Sequence, residues 1–153
     1  MLNDWKENLM RNLLALMVLV AALGSGPAEA EQAYSATLYK NPQCGCCETY
    51  ADYLRENGFE VTVKPTHDLP LMKRQYGVPG ELEGCHTTLV DIYVVEGHVP
   101  VNTVIRLLTE RPDIKGISLP GMPMGSPGMT GEKTAPFTIY EIGAGPAKVY
   151  AVE

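Results

Sequence analysis

The run Asn41-Pro42-Gln43-Cys44-Gly45-Cys46-Cys47 crowds three thiols into four residues. Core packing does not need such a cluster. The segment before it, 35–39, is short and β-prone. After it the apolar period changes, and Cys47, Tyr50, Ala51 and Leu54 fall at helical spacing with Glu48, Asp52, Arg55 and Glu56 opposite. The chain must therefore fold so that the thiols sit at a strand-to-helix turn. One further cysteine, Cys85, completes a set of four. Together they read as a soft-metal or redox centre, with the remaining chain as the scaffold that presents it.

The punctuation along the chain outlines that scaffold. Asn57-Gly58 stops the first helix. Residues 59–63 alternate and predict a second strand, which makes a βαβ unit with a right-handed crossover. Asp68 is placed to cap a helix over 69–76, ended by Gly77 and Pro79. A loop is expected over 80–84. Residues 87–95 are long for one strand and predict a hairpin turning near Asp91-Ile92. Pro100 suits the first turn of a third helix, with Val101, Val104, Ile105 and Leu108 as its apolar face and Pro112 as its stop. The stretch 119–129, with Met122, Met124 and Met129 among glycines and prolines, can be neither helix nor central strand. Residues 138–142 predict a last strand and 148–152 an edge strand. The expected class is α/β, with a central mixed sheet flanked by helices and a Gly/Pro/Met-rich loop.

Residues 1–30 have the layout of a secretory signal peptide. Lys6 and Arg11 lie in the opening segment, 13–23 is an apolar run, Gly24 to Pro27 break it, and Ala28-Glu29-Ala30 is an A-x-A cleavage site. The apolar run is shorter than the ~20 residues of a membrane span. This divides the chain into a signal peptide, 1–30, and one domain, 31–153, and predicts a periplasmic protein with no stable membrane span after cleavage. The chain has 12 Lys+Arg against 18 Asp+Glu, a net charge of −6. That balance argues against nucleic acid as a partner, which requires a basic face.

Export bears on the cysteines, because thiols outside the cytosol tend to become disulfides. Adjacent Cys46 and Cys47 could bridge only through a strained ring, so a structural staple explains the cluster poorly. A cysteine motif on a strand-to-helix turn resembles thioredoxin. A helix N-terminus offers free N–H groups and a positive dipole end, and both favour thiolate, which is nucleophile and metal ligand alike. The spacing here is C-x-C-C rather than C-x-x-C. Cys44 and Cys47 keep the thioredoxin interval, and Cys46 adds a sulfur. A third thiol endangers disulfide exchange, which needs only two. It benefits a metal site, and soft sulfur donors favour Cu(I).

Cys85-His86 precedes the β-rich segment and is placed to face the cysteine turn. Cys85 is expected as the fourth sulfur, against the alternative of a buried inert thiol. His86 could ligate or donate a proton. His98, in Glu96-Gly97-His98-Val99-Pro100, could face the site or solvent, and His67 reads as solvated. Met122, Met124 and Met129 could guide Cu(I) as thioethers, but each is more simply a plug holding an irregular loop to the body. The tyrosines read as packing.

The signal peptide, C-G-C-C after a strand, G-C-H-T before a β segment, E-G-H-V-P and P-G-M-P-x-G-S-P-G-M together resemble one family, the CopG-like exported proteins associated with copper resistance. The likeness spans essentially the whole of 31–153. It implies a thioredoxin-like fold and Cu(I) held by Cys44, Cys46, Cys47 and Cys85, with four thiolates able to bridge more than one ion. It also implies other exported copper-handling proteins as partners. The competing expectation is a thiol-disulfide oxidoreductase in which Cys44 attacks and Cys47 or Cys46 resolves.

Overall fold

The structure, a computed structural model, describes residues 33–153; the expected signal peptide lies outside the described residues. Seven strands form one mixed sheet. They are β1 (Tyr34–Lys40), β2 (Phe59–Pro65), β3 (His86–Val90), β4 (Tyr93–Gly97), β5 (Gly116–Leu119), β6 (Thr138–Ile142) and β7 (Val149–Val152), in the order β2-β1-β3-β4-β5-β6-β7. Three α-helices accompany them: α1 (Gly45–Glu56), α2 (Leu69–Gln75) and α3 (Val101–Glu110), with a short 3-10 turn at Gly80–Leu82.

The first βαβ unit forms as its periodicity requires, with β1 and β2 parallel on either side of α1 in the chain. The hairpin β3–β4 turns at Asp91 and Ile92, where Asp91 adopts φ 52°. A second parallel pair, β4 and β5, is joined through α3. The β5 strand was not anticipated. It is only four residues long and buried along its whole length, so it carries no alternation to betray it.

The core lies mainly on the face covered by α1 and α3. Tyr50, Ala51 and Leu54 of α1 and Val104, Leu107 and Leu108 of α3 close over Leu38, Val95, Ile117 and Ile139 of the sheet. The opposite face holds a smaller cluster of Val78, Leu82, Val94 and Ile142. The apolar face of α3 differs from expectation at one position. Ile105 is exposed, and Thr103 and Leu107 are buried in its place. Asp68 does precede α2, but its side chain makes no cap bond. Among the described residues, no helix is long and apolar enough to cross a membrane.

Strand directions decide where the chemistry gathers. Lys40, the last residue of β1, pairs with His86, the first of β3, and Thr87 pairs with Glu96 near the end of β4. Gly97, the end of β4, pairs with Leu119, the end of β5. The turn after β1, the loop before β3, the turn after β4 and the loop after β5 therefore all emerge at one end of the sheet. The first holds Cys44, Cys46 and Cys47; the second holds Cys85; the third holds His98; the fourth holds the methionines.

Candidate metal centre

The turn after β1 is built by backbone bonds. The Cys44 amide donates to the Asn41 carbonyl (3.0 Å) and the Gln43 amide to Asn41 Oδ1 (3.0 Å). Cys44 occupies the N-cap of α1 in extended conformation, φ −76° and ψ 97°, and its side chain caps nothing. Beneath it lies Lys40, only 2% exposed, whose Nζ donates to the carbonyls of Asn41 (3.3 Å), Pro42 (3.3 Å) and Cys44 (3.2 Å) and pairs with Glu48 (3.0 Å). A lysine at a strand end reads as a solvated charge in sequence, so this support was not foreseen.

Cys44 and Cys47 are joined as a disulfide, with Cα atoms 5.5 Å apart. It is the pair at the thioredoxin interval that closes, which bears on the redox alternative read from the sequence. Cys46 and Cys85 remain free. Cys46 Sγ lies 3.5 Å from Cys44 Sγ, and Cys85 Sγ lies 3.6 Å from Cys47 Sγ. The four sulfurs all fall within 4.8 Å of one another. Cys85 is thus brought to the cluster, as its place before β3 predicted. Its thiol is pushed up to about 12, first by burial and then by Cys46, with the Lys73 charge opposing. The reactive environment of the helix N-terminus does not extend to it.

His98 faces the site rather than solvent and is fully buried. Its Nδ1–H donates to the Pro127 carbonyl (2.6 Å), a role the carbonyl fixes, so the lone pair resides on Nε2, 2.9 Å from Cys85 Sγ. His86 Nδ1 lies 3.4 Å from the same sulfur, and its buried Nε2 has no hydrogen-bond partner of normal geometry. Burial holds both imidazoles below the ordinary histidine range; for His86 the neighbouring His98 and Lys73 add to the effect. Both rings are therefore neutral at pH 7 and able to ligate. Tyr50 packs against both rings, 4.6 Å from His86 and 5.2 Å from His98 by ring centroid, and its hydroxyl donates to the Val99 carbonyl (2.8 Å). His67 is exposed, as expected.

The loop after β5 is held against the turn at one point of close approach. A Cβ on Gly128, which adopts φ +79°, would lie 2.8 Å from the Tyr50 amide nitrogen and 3.1 Å from the Cys46 carbonyl. The methionines depart from expectation. Met122 and Met124 are exposed rather than plugged into the core, and only Met129 is half-buried. Below the Cys85 loop, Glu96 is fully buried and accepts hydrogen bonds from the Gly84 amide (2.7 Å), Thr87 Oγ1 (2.7 Å) and Lys73. Burial still pushes its carboxyl up, with Lys73 as the principal opposing influence. The Gly84 bond fixes the backbone one residue before Cys85.

Four convergent sulfurs and two neutral imidazoles at the end of a mixed α/β sheet define a protein with a potential soft-metal site. Residues 82–129 match a family model described as a protein of unknown function, DUF411. No curated protein matches. Two solved structures, both described as copper resistance protein CopG, are similar to the chain at 35% identity. The first has a TM-score of 0.74 and the alignment covers 80% of this chain and 99% of that one. The second has a TM-score of 0.73, with 80% and 98% covered. The chain belongs to the CopG copper resistance family. Its strand order is compatible with a thioredoxin-like arrangement.

Proposed function

We propose that this protein is a periplasmic copper-binding protein of copper resistance, holding Cu(I) on Cys44, Cys46, Cys47 and Cys85. The observation that carries the reading is the convergence of four sulfur donors on one point from two distant segments. Soft thiolates prefer Cu(I) among the available metals, and four of them can bridge several ions. The domain would span 31–153 after removal of a signal peptide, which N-terminal sequencing of the exported protein tests. Loading requires the Cys44–Cys47 disulfide to take up two electrons and two protons, giving two thiols. A dithiol reductant supplies both.

The test is anaerobic Cu(I) titration of the reduced protein against a strong chelator, beside Cys44→Ala and Cys85→Ala. Tight binding of more than one ion, diminished by both substitutions, is expected. Absence of tight copper in the reduced wild type overturns the reading.

The Cys44–Cys47 disulfide favours a second reading, a thiol-disulfide oxidoreductase. Cys44, half-buried at the helix N-terminus, would be its nucleophile. Reduction of insulin disulfides by the copper-free protein tests it, and inactivity with all thiols reduced removes it.

A further inference from the structure

Two free thiols flank the disulfide, one at each of its sulfurs. Cys46 Sγ lies 3.5 Å from Cys44 Sγ, and Cys85 Sγ lies 3.6 Å from Cys47 Sγ. We propose that Cys85 exchanges with the cysteine turn: it attacks Cys47, moves the disulfide to Cys47–Cys85 and sets Cys44 free. The exchange needs the Cys44–Cys47 disulfide alone, and neither bound copper nor a protein substrate takes part in it.

The step balances within the chain. Cys85 gives up its thiol proton, and its sulfur forms a bond to Cys47 Sγ. The Cys44–Cys47 bond breaks, its electron pair leaves on Cys44, and Cys44 takes up a proton. One disulfide and two thiols stand on each side, so nothing is oxidised or reduced. Disulfides migrate between cysteines by this displacement, in which a thiolate attacks one of the two bonded sulfurs.

Three observations carry the assignment. The first is contact. Cys85 lies 38 residues from Cys47 in the chain, yet their sulfurs are neighbours, and all four sulfurs fall within 4.8 Å of one another. Cys85 thus stands beside the disulfide and comes into line with it by turning about its own Cα–Cβ bond. The second is a place for the proton. The Nδ1–H of His98 is committed to the Pro127 carbonyl, so its Nε2 lone pair faces Cys85 Sγ at 2.9 Å. A thiol in hydrogen-bond reach of a base that a third group orients is the arrangement of an activated nucleophile. The third is the leaving group. Attack on Cys47 expels Cys44, half-buried at the N-cap of the 12-residue α1, where free amides and the helix dipole favour thiolate. Attack by Cys46 on Cys44 would instead expel Cys47, which is fully buried and would carry its charge without hydration. The better-stabilised thiolate leaves faster, so Cys85 rather than Cys46 is the exchanging thiol.

Exchange changes what the oxidised chain presents. The disulfide retreats to fully buried Cys47 and half-buried Cys85, and Cys44 becomes a thiol at the helix end beside Cys46. A chain that still carries one disulfide can then attack a disulfide of an incoming protein, forming a mixed disulfide through Cys44 and releasing one partner thiol.

The test is alkylation of the oxidised, copper-free wild-type chain in its native state, followed by acid quench, digestion and mass-spectrometric mapping of labels and disulfides. Label should accumulate on Cys44 as well as Cys46, with Cys47–Cys85 as the disulfide left behind, because each alkylated Cys44 draws the exchange forward. Cys85→Ser should lose the Cys44 label while Cys46 still reacts, and thermal melting checks that this variant folds. If it does not, the wild-type map decides alone. A Cys44–Cys47 disulfide that survives prolonged alkylation, label on Cys47, or Cys44 labelling that persists in folded Cys85→Ser would each overturn the exchange. The measurement contains neither copper nor insulin, so its failure stands apart from the failure of either reading of function.

Discussion

Lys40 shows how much a single residue can decide. Its ammonium is buried under the cysteine turn and donates to three carbonyls there, of which that of Asn41 also accepts from the Cys44 amide. Hydrogen bonds to a charged group contribute about 1.5–3 kcal/mol, and loss of the lysine would take a donor from each of the three carbonyls and leave Glu48 without its buried partner. Lys40→Met should therefore destabilise the protein by roughly 2–3 kcal/mol, read as a lower denaturant midpoint. Lys40→Arg should recover only part, because a planar fork does not reproduce three converging ammonium donors. The same residue marks a limit of reading sequence. Cys85 could be assigned from chemistry and position. Lys40 and His98 could not, because their partners are set by tertiary packing: Glu48 from α1 reaches Lys40, and Pro127 lies 29 residues from His98.

At the scale of elements, most boundaries were legible because period and punctuation agree. The change from alternation to helical spacing at the cysteine turn, Asn57-Gly58 after α1 and Pro100 before α3 each mark an edge that the structure keeps. β5 escaped because a strand buried on both faces has no alternation, and it runs directly into the glycine- and proline-rich loop. That loop is not passive. Its Gly128 touches the first turn of α1, and the preceding Pro127 carbonyl holds His98. Gly128→Ala places a methyl against backbone at a positive φ, so the loop must retreat. A loss of about 1–3 kcal/mol is expected, seen as a lowered melting temperature. Hydrogen exchange of the 120–129 amides should rise as well.

For the molecule as a whole, one end of the sheet collects neutral imidazoles, and this sets how the apoprotein responds to acid. His86 and His98 titrate lower when folded than the ordinary 6.5. Between the two values the unfolded chain binds more protons, so stability is full above about pH 6.5 and declines as pH falls below it. Each imidazole contributes up to about 1.4 kcal/mol per pH unit. Glu96, whose carboxyl is raised, acts in the opposite sense, its contribution growing as pH falls. Two imidazoles against one carboxyl predict a net loss of stability between pH 6.5 and 5 in denaturant titrations of the copper-free protein. His98→Gln should flatten part of that slope.

The position of Tyr50 has an optical consequence. The chain's single tryptophan is Trp5, within the expected signal peptide, so the domain's near-ultraviolet emission comes from its eight tyrosines. One of them, Tyr50, is fully buried and packed against the two imidazoles. Copper loaded on Cys85 and the other sulfurs would quench that one fluorophore at close range and leave the distant ones bright. Copper loading should therefore dim the native emission by a fixed fraction, and Tyr50→Phe should abolish the change, so that occupancy can be followed without a label.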